Sequence, residues 1–177
     1  MRFHRPSLLD PQTHRRDEFD SGAPALDDWL RRYAGQNRRR NTAATWVVTD
    51  EDDRVVAYAS LSMTSIDRSA APQRLAHRAP TRVPALLVGR LAVDRRVAGH
   101  GLGTALVRHV LAVAVQINTT AACRAVVVNA LDADASRWWQ RFGFTPLNPD
   151  NDTDLDLYLL TGDIQRTIEE LDEIPDR

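Results

Sequence analysis

Residues 85–104 read Ala-Leu-Leu-Val-Gly-Arg-Leu-Ala-Val-Asp-Arg-Arg-Val-Ala-Gly-His-Gly-Leu-Gly-Thr. The first nine form a nearly continuous apolar run, the pattern of a central strand buried on both faces. Gly99, Gly101 and Gly103 follow, and Leu102, Leu106, Val110, Val113 and Ile117 then recur at helical spacing. The segment is therefore a strand, a glycine-rich turn and a helix. Such a turn lets the backbone approach a ligand without Cβ obstruction. The helix N-terminus behind it offers unpaired N–H groups and the positive end of a dipole. Arg96 and His100 add charge or hydrogen bonds. The residues alone describe an anion site for phosphate or pyrophosphate, although glycines in a strand–helix turn also occur for purely structural reasons. No Gly-Lys-Ser/Thr follows, and the full G-x-G-x-x-G pattern is absent, so neither of the common nucleotide loops fits.

Outward from this segment the chain alternates in type. Residues 124–128 read as a buried strand, 134–141 as a short helix ending near Gly143, and 154–160 as a strand alternating Leu155, Leu157 and Leu159. Ile164, Ile168 and Leu171 predict a closing helix. Upstream, 44–50 and 55–62 read as strands joined by the acidic turn Glu51-Asp52-Asp53. Residues 24–34 read as an amphipathic helix on Leu26, Trp29, Leu30 and Tyr33, with Pro24 in its first turn and Asp27 and Asp28 complementing its dipole. Residues 2–9 give a weak opening strand. Residues 66–84, with prolines at 72, 80 and 84, read as an irregular loop with room for a short helix. With no repeat and no long linker, the expectation is one α/β domain over residues 1–177.

Of the 177 residues, 43% are hydrophobic and 27% charged, the composition of an ordinary globular protein. No apolar run approaches the roughly 20 residues that span a bilayer, and Met-Arg-Phe-His-Arg-Pro leads into no signal core. The one cysteine, Cys123, reads as a core residue before a buried strand. A reducing cytoplasm is the simple reading. The five histidines (4, 14, 77, 100, 109) show no metal spacing, so no metal is expected. No Ser–His–Asp or Cys–His pattern suggests a covalent intermediate. All 23 basic residues are Arg, which codon bias explains as well as Arg chemistry does. Their placement is harder to ascribe to codons: residues 150–177 carry ten Asp/Glu against two Arg, and the remainder is net basic. That asymmetry suggests a basic surface for an anionic partner.

Two ordered motifs carry a family resemblance. Arg96-Val97-Ala98-Gly99-His100-Gly101 resembles the R/Q-x-x-G-x-G/A pyrophosphate loop of the GNAT acetyltransferases. Ala135-Ser136-Arg137-Trp138-Trp139-Gln140-Arg141-Phe142-Gly143-Phe144 resembles that family's A-x-x-F-Y-x-x-x-G-F. The resemblance implies the GNAT fold, a central, mostly antiparallel, splayed sheet flanked by helices, and acetyl-CoA as cosubstrate. It implies that backbone groups of Leu91, Ala92 and Val93 hold the pantetheine arm. The pyrophosphate would lie on Arg96 and the amides of Gly99, His100, Gly101, Leu102, Gly103 and Thr104. Asn129 and Ser136 lie where CoA contacts occur, although Asn129 reads equally as a turn residue. One position departs from the pattern: the family's usual tyrosine is Trp139 here. An indole N–H donates a hydrogen bond but supplies no proton near neutral pH. Trp139 then either orients the sulfur, with solvent giving the proton, or merely packs beside Trp138. Tyr158, on the last strand, is the rival proton donor.

A narrower resemblance covers most of the chain. Phe19 to Leu30, Gln36 to Arg40, Val47-Val48-Thr49-Asp50, Gly89 to Asp94 and Gly162-Asp163 are similar to the TacT-like GNAT toxins of type II toxin–antitoxin systems. That likeness implies acetylation of the α-amine of aminoacyl-tRNA, which blocks translation. It also implies inhibition by a ribbon–helix–helix (DUF1778-type) antitoxin, and homodimers are common in the family. Arg-rich segments suit a polyanionic acceptor stem: Arg38, Arg39 and Arg40 after the first helix, Arg68, Arg74, Arg78 and Arg82 in the loop, and Arg90, Arg95 and Arg96 beside the cofactor segment. Solvated surface is the alternative reading of those charges. An ordinary small-molecule or protein N-acetyltransferase, or a catalytically weak CoA-binding module, is the alternative function.

Overall fold

The computed structural model describes residues 2–151 and 153–172. Seven strands are hydrogen-bonded in the order β1 (Ser7–Leu8), β2 (Ala44–Thr49), β3 (Val55–Asp67), β4 (Arg82–Val93), β5 (Ala125–Asn129), β7 (Asp156–Leu160) and β6 (Thr145–Pro146). The β1/β2, β2/β3, β5/β7 and β6/β7 pairs are antiparallel, and β4/β5 is parallel. Contacts group the described chain into two compact units, residues 2–62 with 89–110 and residues 63–88 with 111–172.

The first unit holds β1 (Ser7–Leu8), α1 (Pro24–Asp28), α2 (Ala34–Arg39), β2 (Ala44–Thr49), the start of β3 (Val55–Asp67), the end of β4 (Arg82–Val93) and the opening of α4 (Leu102–Thr120). The opening strand is shorter than expected: only Ser7–Leu8 pair with β2, and Phe3 adds an isolated bridge to Asp50. Pro24 begins α1, where its missing N–H is one of the orphans in any case. Ser21 closes the same end, donating from N and Oγ to the buried Asp27 carboxylate at 3.0 and 2.6 Å. The helix does not stop at 34. A π-helical segment, Trp29–Tyr33, joins α1 to α2, which runs to Arg39. Beyond Gly35 the sequence is polar, so apolar periodicity carried no signal there. Trp29, Leu30 and Ala34 pack with Phe19, Val47 and Tyr58 in one core. Tyr58 stacks on Trp29 with ring centroids 5.8 Å apart and donates its hydroxyl to the Leu26 carbonyl at 2.8 Å.

The second unit holds the end of β3, α3 (Gln73–Ala76), the start of β4, the rest of α4, β5 (Ala125–Asn129), α5 (Ala133–Gln140), β6 (Thr145–Pro146), β7 (Asp156–Leu160) and α6 (Ile164–Asp172). The segment read as an irregular loop over 66–84 is more ordered than that. β3 extends to Asp67, α3 follows, and β4 starts at Arg82. Ser62 to Ser65 are polar or half-exposed, which hid the β3 extension. Arg124 ties α3 down, donating to the carbonyls of Leu75 (2.9 Å) and His77 (2.7 Å). β4 pairs with β5 over Ala85–Val88 and then continues alone of the two to Val93. β7 buries Leu157, Tyr158 and Leu159 together, so both its faces are covered and the expected alternation is absent. Of the predicted closing helix, Ile164 is buried and the Leu171 side chain lies outside the described ones; residues 152 and 173–177 of the acidic segment do too.

α4 is the one described helix whose length and mean hydropathy of 1.2 suffice to cross a bilayer. Leu106, Val107, Val110, Leu111 and Ala114 along it are buried in protein, which accounts for its apolarity.

Candidate functional site

Strand β4 ends at Val93, and Asp94 turns the chain. The Asp94 carboxylate is fully buried and takes four hydrogen bonds. Oδ1 accepts from the Arg96 amide and the Arg96 Nε, both at 2.9 Å; Oδ2 accepts from Arg96 Nη2 at 2.7 Å and the Asp20 amide at 3.1 Å. The bond from the Arg96 amide caps the 3₁₀ turn Arg95–Val97. The Asp94 amide donates in turn to the Val56 carbonyl at 2.8 Å, and the Arg95 amide to Asp20. Burial pushes this carboxyl up; the bonds from Arg96 and Asp20 outweigh it and hold the group below the usual carboxylate range.

The loop that follows is an amide cradle. Gly99 and Gly101 sit at φ +83° and +72°, where only glycine is comfortable. Among the described residues, the backbone amides of residues 99–104 donate to no acceptor, and the first helical bond of α4 runs from the Ala105 amide to Gly101 O at 2.9 Å. A Cβ added at Gly99 meets nothing within 4 Å, so the space above it is open. Successive free N–H groups at the start of a 19-residue helix form a concavity suited to a diphosphate. This chain thus fits the pyrophosphate of a CoA-type ligand by its backbone.

The structure gives the two side chains of the motif other work. Arg96 is engaged by Asp94 and by the Glu18 carbonyl, to which Nη2 donates at 2.9 Å. It braces the turn. The His100 Nδ1 lies 3.1 Å from Val97 O and 3.3 Å from Ala98 O, and its ring packs edge-on to Phe3. The Nδ1 proton therefore faces the backbone, leaving Nε2 outward. Leu91 and Val93 are half-buried on β4, Ala92 is buried in the first core, Leu102 is buried, and Gly103 and Thr104 lie in the first turn of α4. Sequence reasoning missed Asp94 as the organiser of this loop. The signal was present: an Asp directly after the strand with Arg two positions on.

In the second unit, Asn129 closes β5 and donates to the Asp156 carboxylate on β7. Ser136, on α5, accepts from Gln140 at 3.3 Å. Trp139, only 6% exposed, lies in an aromatic cluster, its ring 5.0 Å from Trp138 and 5.1 Å from Phe144. The chain has three tyrosines. Tyr33 is exposed. Tyr58 is bonded to Leu26, and burial, opposed by Arg90 and aided by Asp27, pushes its hydroxyl well above the usual range. Tyr158 is buried against Leu75, Val83, Ala85 and Val127, and its hydroxyl makes no hydrogen bond among the described residues.

The arginines expected to meet nucleic acid fall in both units. Arg38, Arg39 and Arg40 are exposed at the end of α2. Arg90 is half-buried with its guanidinium 4.6 Å over the Trp29 ring. Arg78 is exposed at φ +52°, in the second unit. Arg74 pairs with Asp163 at 3.0 Å, and Arg68 donates to the Ala79 carbonyl.

Comparison with known proteins bears on this geometry. Residues 9–144 match the model of the acetyltransferase (GNAT) family. A "tRNA-acetylating toxin" of Mycobacterium tuberculosis (strain ATCC 25618 / H37Rv) is 37% identical over 152 residues, covering 85% of this chain and 88% of that protein. Among solved structures, AtaT complexed with acetyl-methionyl-tRNAfMet superposes with TM-score 0.84 at 23% identity, covering 94% of this chain and 99% of that one. A Tyr-to-Phe mutant of AtaT bound to the C-terminus of the antitoxin AtaR and acetyl-CoA gives 0.79 at 22% identity, over 94% and 98%. At those identities the structural likeness speaks for the fold.

Proposed function

The chain belongs to the acetyltransferase (GNAT) family, and from that premise we propose that it acetylates the α-amine of aminoacyl-tRNA, stopping translation as the toxin of a toxin–antitoxin pair. It is an N-acetyltransferase with acetyl-CoA as cosubstrate. The observation that carries the proposal is the run of uncommitted amides at 99–104, together with a 37%-identical relative named as a tRNA-acetylating toxin.

Acetyl-CoA supplies an acetyl group activated as a thioester. The amides of Gly99 to Thr104 hold its pyrophosphate, with Asp94 and Arg96 fixing the loop that presents them. An α-amine with a pKa near ~8 is already partly neutral at pH 7 and needs little help from a base. Its nitrogen forms the amide bond as the C–S bond breaks; the amine loses a proton to solvent, and the departing sulfur gains one. Trp139 has no such proton to give, and its place in the aromatic cluster suits packing. Of the two candidates the sequence offers, Tyr158 alone carries an ionisable hydroxyl, and we assign the proton donor to it. A thiol leaving group near pKa ~8.5 makes only a modest demand on that donor.

The partners that follow are aminoacyl-tRNA and an antitoxin, the latter of the ribbon–helix–helix (DUF1778-type) class; a homodimer and a cytoplasmic setting belong to the same reading, as does one catalytic domain over residues 1–177. The test uses radiolabelled acetyl-CoA with charged total tRNA, uncharged tRNA and a panel of free amines. Label in charged tRNA alone supports the proposal. Label in a free amine alone points to an ordinary N-acetyltransferase, and no label despite acetyl-CoA binding points to a binding module.

A further inference from the structure

We propose that a basic recess in the first unit, remote in sequence from the 99–104 loop, is a docking site for a backbone phosphate of RNA. The segment Pro11–Asp17 and Arg31 of the π-helical turn line an open surface recess of about 450 Å³. Its charged lining is Arg15, Arg16 and Arg31 against the single acid Asp17, with His14 beside them. The identification of the polyanion as tRNA rests on the function proposed above; the recess and its charge do not.

The recess arginines share with Arg38, Arg39 and Arg40 the lack, among the described residues, of a carboxylate partner that others in the unit have. Arg54, Arg95 and Arg96 in the same unit each have a carboxylate partner. Arg15, Arg16 and Arg31 have none among the described residues, and no ion pair joins Asp17 to any of them. Arg16 Nε lies 3.4 Å from the Arg31 carbonyl, so the two residues adjoin. Arg31 is held by a bond from Nη2 to the Phe19 carbonyl, while its Nε is buried and has no acceptor. His14 Nδ1 accepts from the Asp10 amide at 3.1 Å, which puts the ring proton on Nε2 and leaves that N–H as a further donor.

The lining is also preorganised. The Arg15 amide donates to Asp53 O at 2.8 Å, the Val55 amide to Arg15 O at 2.7 Å, and the His14 amide to Asp10 O at 3.0 Å. These bonds pin the segment to the β2–β3 turn before any ligand arrives, which lowers the entropy cost of binding. The recess is continuous with the Arg38–Arg40 run: a methyl placed on Gly35 lies 3.4 Å from Pro11 Cγ and 3.7 Å from the Arg39 guanidinium. Charge that extends from a recess along a helix end suits a repeating polyanion better than a single small one.

The experiment measures binding of 3′-fluorescein-labelled uncharged tRNA, without acetyl-CoA, over a KCl series. Arg31 is left intact because it holds the Phe19 carbonyl. Arg15→Gln/Arg16→Gln removes charge at similar size, and Arg15→Glu/Arg16→Glu reverses it. The expected result is a Kd raised about tenfold by the Gln pair and more by the Glu pair, with the log Kd–log salt slope reduced by about 2. Acetyl-CoA affinity, followed by calorimetry, stays at the wild-type value and certifies the fold. An unchanged tRNA Kd and slope would overturn the proposal, as would wild-type protein that binds no tRNA. A loss confined to acetyl-CoA would assign the recess to the cofactor's phosphates and overturn it equally. Failure of the acetylation reading shows separately, as absent label transfer, because this assay needs no turnover.

Discussion

Arg96 closes on both oxygens of the Asp94 carboxylate, Nε to Oδ1 at 2.9 Å and Nη2 to Oδ2 at 2.7 Å. The pair sits between the end of β4 and the amide cradle, and Asp94 also takes the Asp20 amide. Asp94→Asn removes the charge and at least one acceptor, leaving Arg96 and two backbone amides underserved. The expected cost is about 2 kcal/mol of stability at pH 7 and a several-fold weaker acetyl-CoA Kd. Because the folded carboxyl is held below its ordinary value, the stability it contributes is complete above the unfolded value near ~3.9 and is lost as pH falls through the lowered one. Urea titrations from pH 7 to pH 3 should show a constant wild-type-to-variant gap down to about pH 5 that narrows below pH 4. A gap undiminished at pH 3 would sink the ion-pair account.

The cradle depends on backbone shape. Gly101 stands at φ +72°, so Gly101→Ala strains the turn by about 1–2 kcal/mol and puts a methyl beside the amides. Acetyl-CoA Kd should rise tenfold or more while the melting temperature moves only a few degrees. Gly162→Ala is the control: a Cβ there meets nothing within 4 Å at an ordinary φ, and both readouts should stay put. Equal affinity for the Gly101 variant would place the pyrophosphate elsewhere.

The strand–turn–helix over 85–104 was legible because each part has a distinct local signature: apolar run, glycine spacing and a helical stripe. The same holds for α5, where Trp138 and Trp139 mark the aromatic side. The structure went beyond the sequence where order came from partners far along the chain. α2 is polar after Gly35 and is carried by the helix before it; β6 is two residues long and exists through its pairing with Tyr158 and Leu157. Arg96 looked like a ligand for phosphate because its charge is visible in sequence while Asp94 and the Glu18 carbonyl, which occupy it, are not. Arg15, Arg16 and Arg31 carried no motif, and folding alone brings them to one recess.

His109 on α4 gives a pH dependence. Its ring lies 4.1 Å from Trp46, its Nε2 is buried without a hydrogen-bond partner, and burial holds its imidazole below the ordinary value of 6.5. The unfolded chain takes up a proton near that value, and the folded chain does so only at lower pH. The stability linked to His109 is therefore complete above ~6.5 and is lost as pH falls through it, at no more than about 1.4 kcal/mol per pH unit. His109→Leu should flatten the wild-type decline between pH 7.5 and 5.5 in guanidinium titrations. Parallel curves for the two proteins would remove His109 as the cause.

Trp139 and Tyr158 make opposite predictions. Trp139 packs at 5.0 Å from Trp138 and 5.1 Å from Phe144, so Trp139→Phe keeps an aromatic there and should leave the single-turnover acetylation rate within about threefold, with a stability loss near 1–2 kcal/mol from the smaller ring. Trp139→Ala should cost about 3–5 kcal/mol. Tyr158→Phe keeps the packing against Leu75 and Val127 and removes only a hydroxyl with no partner in the fold. Stability should change by less than about 1 kcal/mol, while loss of a general acid should slow single turnover by about 100-fold. Raising the pH should shrink that deficit, since a thiolate departing into alkaline solvent needs no proton, and acetyl-CoA Kd should stay constant throughout. If Trp139→Phe alone is slow and Tyr158→Phe is not, the indole N–H is what meets the sulfur, and Tyr158 is a packing residue.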